Sequence, residues 1–137
     1  MKRILLTTLA FIVATFAIEG TSHFAINKDF YAGISFIRPE PIVAMGFVTM
    51  ILQGLVMGWL YPRFHDPARP LFSGWLFAMS IFVILGGYIV IVEPSKYTVP
   101  SIGQWVAVEG IAAFLQFTLF GVLLGFIHRN RTATVPA

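Results

Sequence analysis

A chain of 137 residues offers one domain's worth of structure, and this one is 58% apolar and only 11% charged. A soluble domain carries roughly 45 to 50% apolar and ~25% charged residues, so a water-soluble fold of this composition could not cover its own surface. The lack of cysteine excludes disulfide frameworks, thiolate metal sites and Cys-pair redox chemistry, and the net charge of +3 comes from basic residues at the ends of apolar runs, not from a stripe that nucleic acid could follow.

Four apolar segments follow one another, at about Ile4 to His23, Ile42 to Tyr61, Leu71 to Val92 and Ile102 to Ile127. Each is near or above the ~20 residues that a helix rising 1.5 Å per residue needs to cross ~30 Å of hydrocarbon. Four strands could not close a barrel, and an open sheet edge in lipid leaves backbone groups unpaired. The prediction is an all-α membrane protein, a single four-transmembrane-helix bundle over residues 1–137, with the lipid bilayer as its medium.

The first segment, preceded by Met1-Lys2-Arg3, also resembles a secretory signal peptide. Phe16 and Ile18 interrupt its small residues and no A-x-A triplet is present, so it is read as a span. The stretch from Phe24 to Pro41 reads as a solvated connector whose Pro41 opens the second helix, with a partner-binding or site-capping loop as the alternative. Pro62, Pro67 and Pro70 stiffen the next loop, which is too short for a catalytic domain.

Lys2, Arg3, Arg63, Arg69, Arg129 and Arg131 fall on one side of this arrangement, and Lys28, Arg38 and Lys96 on the other. The positive-inside bias then puts both termini in the cytoplasm. Trp59, Tyr61 and Trp75 near the inner interface, and Tyr31, Tyr97 and Trp105 near the outer one, read as headgroup anchors.

Small residues set the expected packing. Gly54 and Gly58 form a G-x-x-x-G, as do Gly121 and Gly125, while Gly74 and Ala78 supply a third small surface and Gly86-Gly87 marks a bend. The seams are read as joining helices within the chain, with a homo-oligomer as the alternative. Ile51-Leu52-Gln53-Gly54 echoes Phe114-Leu115-Gln116-Phe117, which leaves duplication of a helix hairpin open. Gln53 and Gln116 read as interhelical hydrogen-bonding groups.

The functional signal lies in two acids inside the spans, because a charge at membrane depth is costly and faces the bundle interior or a wet cavity. Glu19 and Glu109 fall roughly 8 and 10 Å below the outer boundary, and His23 sits one turn beyond Glu19. Such a set could bind a divalent transition metal, share a proton or small cation, or be hydrogen-bonded to neighbouring helices with no further role. Two functional classes result. One is a binding or transport module with an outer-facing polar pocket lined by Glu19, His23, Gln53 and Glu109. The other is a structural or accessory subunit packing against a larger membrane-protein complex. A membrane enzyme is a third class, for which the sequence offers no catalytic or cofactor-binding set.

Arg38-Pro39-Glu40 just before the second helix, Gln104-Trp105 at the start of the fourth and Glu109-Gly110 one turn on give the chain a resemblance to an uncharacterised group of small bacterial four-helix membrane proteins. The resemblance spans most of the chain. It implies the four-helix fold and a multi-pass place in the bacterial inner (plasma) membrane, and carries no activity.

Overall fold

In a computed structural model, which describes residues 1–129, four helices are long and apolar enough to cross a membrane. Helix 1 is Lys2–Ile26, helix 2 Val43–Arg63, helix 3 Pro70–Lys96 and helix 4 Ile102–His128. The described residues form no strand, as the cost of unpaired backbone groups in hydrocarbon requires. Helices 3 and 4 share the most extensive contact, helices 1 and 2 the next, and helix 1 also packs on helix 4. The spatial order is therefore 2-1-4-3, with helix 1 inside the bundle. Phe11 and Ala14 of that helix join Phe120 and Leu124 in the core.

The glycines explain this order. A Cβ at Gly54 would lie 2.7 Å from Thr8 Cα, and one at Gly58 3.0 Å from Ile4 Cα, so helix 2 meets helix 1 backbone to backbone. On the other pair, a Cβ at Gly121 would lie 2.7 Å from Trp75 Cα and one at Gly125 2.7 Å from Leu71 Cα, while Gly74 faces Gly121 and Gly125 from the opposite side. Both G-x-x-x-G pairs thus serve crossings inside the chain, where small residues let dispersion contacts form that lipid cannot replace. All of these contacts lie in the half of the bundle that holds Ile4, Tyr61, Pro70 and His128.

The opposite half is built differently. Helix 1 changes from α to π geometry over Phe16–Gly20 and again over Ser22–Ile26, and helix 3 does the same over Tyr88–Val92, directly after Gly86-Gly87. The second of these closes with the Asn27 N–H on the Ser22 carbonyl at 2.8 Å. Beyond helix 1 the chain forms a short helical segment, Lys28–Ala32, and folds back so that Tyr31 and Ile34 are buried against Trp105.

Several expectations need correction. Helix 1 runs past His23 to Ile26, and helix 3 past Val92 to Lys96, because π turns continue both. Pro41 does not open helix 2, which begins at Val43 with Ile42 as its N-cap. The stretch from Phe24 to Pro41 is not simply a solvated connector, since Tyr31 and Ile34 sit in a buried cluster. Arg131, counted among the inner basic residues, lies outside the described residues.

Leucine at Gly54 or Gly121 must drive two backbones apart, at a cost of at least the ~1–3 kcal/mol typical of overpacking. Gly54→Leu and Gly121→Leu should each lower the thermal midpoint in detergent well below that of wild type. Gly87→Ala, where a Cβ meets nothing within 4 Å, should leave it unchanged or raised. Equal midpoints for all three would show that the seams do not hold the bundle.

Candidate functional site

Glu19 and His23 occupy the two π turns of helix 1, while Glu109 lies on the first turns of helix 4. Among the described residues, Glu19, His23 and Glu109 can each direct one ligand atom into a group whose members all lie within 4.8 Å of one another. His23 Nε2 is 3.9 Å from Glu19 Oε2, a distance of attraction but too long for a hydrogen bond. Gln53 joins them from helix 2. All four line one cavity of about 540 Å³ in the half of the bundle away from the glycine seams.

Tyr31 organises this group. Its hydroxyl donates to Glu109 Oε1 at 2.8 Å, and its ring stacks on His23 with centroids 3.8 Å apart and planes 13° from parallel. Burial pushes the Tyr31 phenol above its ordinary range, and the Glu109 carboxylate adds to the shift. The phenol therefore stays protonated and able to donate. Trp105 closes the wall beside it, with its ring N–H on the Ile89 carbonyl at 3.1 Å. Ile89 belongs to the π turn of helix 3, where the displaced ladder leaves that carbonyl accessible to the indole.

Tyr31 and Trp105 are thus not headgroup anchors, being only 6% and 3% exposed. Trp59 and Tyr97, each more than half or half exposed, remain at the surface as expected. The cavity is also lined by Glu93, from the end of helix 3. Gln116 makes an interhelical bond, donating to Thr15 Oγ1 at 2.8 Å. Gln53 makes no hydrogen bond among the described residues and lines the cavity.

A second polar cluster occupies the opposite end. Tyr61 is fully buried, not an anchor; its hydroxyl meets His65 Nδ1 and Ser73 Oγ at 3.0 Å each. His128 Nε2 lies 3.2 Å from Thr7 Oγ1. The first two join the end of helix 2 to the following loop and to helix 3, the last joins helix 4 to helix 1, and the rings of Tyr61 and His65 both lie against His128, at centroid distances of 4.8 and 6.0 Å. The histidines at that end carried no periodic signal, since each stands at the margin of an apolar run.

No family model, curated protein or solved structure matches the chain.

A phenol whose pKa is raised by folding favours the protonated, folded state, so its contribution to stability is complete below about pH 10 and is lost as pH rises further. Wild-type protein should accordingly lose stability above about pH 10 more steeply than Tyr31→Phe, measured by thermal unfolding in detergent across an alkaline series. Superimposable pH profiles for the two proteins would show that Tyr31 ionises as freely as an exposed phenol.

Proposed function

We propose that this chain is a multi-pass protein of the bacterial inner membrane, with both termini cytoplasmic, that binds and transports a small cation through its outer-facing cavity. The observation that carries the reading is the convergence of Glu19, His23 and Glu109 on one space between helices 1 and 4. Charge supports it. Three of the six acids of the chain, Glu19, Glu93 and Glu109, line the cavity, while no Lys or Arg does so among the described residues. Carboxylates gathered in a poor dielectric without a fixed counter-ion can be neutralised only by protons or by a bound cation.

The accessory-subunit reading receives less support. It needs a glycine seam left open for a partner helix, whereas Gly54, Gly58, Gly121 and Gly125 are used within the chain. The orientation rests on Lys2, Arg3, Arg63, Arg69 and Arg129, which stand at the end opposite the cavity.

Reporter fusions after Ile127 should read cytoplasmic and fusions near Asp29 or Ser95 external; a cytoplasmic signal at Asp29 would invert the orientation. Proteoliposomes containing the wild-type protein should dissipate an imposed gradient of protons, of a monovalent cation or of Zn²⁺. The Glu19→Gln/Glu109→Gln variant should lower that flux about tenfold or more, consistent with loss of both charged ligands. Wild-type flux no greater than that of protein-free vesicles would overturn the transport reading.

A further inference from the structure

We infer that Glu19, His23 and Glu109 form a binding site for a single divalent transition-metal ion of the zinc class. The inference deepens the cation-binding reading and rests on it. Its ground is the state of the donors. Glu109 is 6% exposed and lines the cavity, yet only its Oε1 has a hydrogen-bond partner among the described residues. His23 Nε2 has no hydrogen-bond partner either, because the Glu19 carboxylate stops 3.9 Å away. Two lone-pair donors therefore face a shared gap that neither closes.

The dimensions of that gap suit an ion. Zinc binds imidazole nitrogen at ~2.0–2.1 Å and carboxylate oxygen at ~2.0–2.2 Å, which sets neighbouring donors on a tetrahedral ion roughly 3.4 Å apart. The His23–Glu19 separation of 3.9 Å approaches this value, and no two of the three donors lie more than 4.8 Å apart. The donor types narrow the class further. Calcium and magnesium favour all-oxygen shells, whereas a mixed imidazole and carboxylate set suits zinc and its transition-metal neighbours.

The surroundings match what such ions require. Ligands need a second layer that fixes their orientation. Tyr31 supplies it twice, by donating to Glu109 and by stacking on the His23 ring. Three protein ligands leave one coordination position, and here that position opens on a cavity of about 540 Å³ with room for water or an exchanging anion. Two carboxylates and a neutral imidazole would bring a charge of −2 to an ion of +2, so the metal offsets the charge that the protein leaves unpaired.

The test uses the full chain in lipid nanodiscs, titrated with Co²⁺ as a spectroscopic stand-in for zinc. One ion per chain should bind with the intense visible absorption of a four- or five-coordinate ion, and Zn²⁺ should displace it. His23→Gln and Glu109→Gln should each weaken binding by about 100-fold or more. Tyr31→Phe, which leaves all three ligands in place, should weaken it about tenfold or more and alter the spectrum, as loss of an outer partner does. Added Zn²⁺ should raise the thermal midpoint of wild type and not of Glu109→Gln. Absence of saturable binding, a spectrum like that of the hydrated ion, or equal affinity in wild type and Tyr31→Phe and His23→Gln would overturn the metal site. Proton or monovalent-cation flux that persists without Co²⁺ binding would refute the metal inference alone, whereas loss of both would refute the transport reading as well.

Discussion

A carboxyl group placed between apolar helices must find a donor, and the half of this protein away from the glycine seams is arranged around how Glu109 finds one. Its partner is not on a neighbouring helix but on Tyr31, in the segment that follows helix 1. To bring that phenol inward, helix 1 must carry Glu19 and His23 past the core and then turn back over helix 4. Two successive π turns accomplish the carriage, and the short helix Lys28–Ala32 accomplishes the return. A π turn places an extra residue in the circuit, which changes the facing of every side chain beyond it. Glu19 and His23 therefore owe their direction to local geometry as much as to their spacing.

The helices approach backbone to backbone at the end opposite the cavity, whereas the cavity end is joined by side chains. Gly54 and Gly58 bring helix 2 onto helix 1, and Gly74, Gly121 and Gly125 bring helix 3 onto helix 4, all in the half that holds Tyr61 and His128. At the other end, Gly46 and Gly103 meet nothing within 4 Å of a hypothetical Cβ, so their small size produces no close approach. The same residue type thus draws backbones together where a partner faces it and leaves open space where none does. Within hydrocarbon that difference is large, since packing, not water exclusion, drives association.

The fold was legible because lipid restricts the backbone to so few solutions. Four apolar runs of sufficient length could only be helices, and their punctuation by proline and charge located them to within a few residues. Glu19 and Glu109 were legible for the related reason that an acid in such a run is expensive, and equal depth follows from counting residues at a fixed rise. Tyr31, Trp105 and Tyr61 were misread, because an aromatic residue near a span's end has the same pattern whether it anchors at headgroups or caps a buried polar group. The distinction depends on whether the chain folds back, and neither a π turn nor a five-residue helix has a periodicity that announces it. Gln53 and Gln116 look alike in sequence. Only their neighbours separate them, since Gln116 donates to Thr15 while Gln53 has no hydrogen-bond partner among the described residues.

Transport through this architecture would have to pass a closed aromatic layer. Phe11 lies against Phe120 with ring centroids 5.1 Å apart and against Phe117 at 6.2 Å, below the acids and above the Tyr61 cluster. Beyond it a second cavity of about 400 Å³ is lined by Gly58, His65 and His128. The two spaces are separated by the part of the core where helix 1 meets helix 4, a less extensive contact than either glycine-sealed pair. Helices 1 and 2 on one side, and 3 and 4 on the other, are each locked backbone to backbone. Opening a path therefore requires the pairs to move against one another, since neither pair can open within itself without breaking its seam. Such a movement would also separate Glu19 and His23 on helix 1 from Glu109 on helix 4. On the transport reading, a cation bound between them would draw the pairs together and its release would remove that restraint, at the least extensive of the three main helix contacts among the described residues.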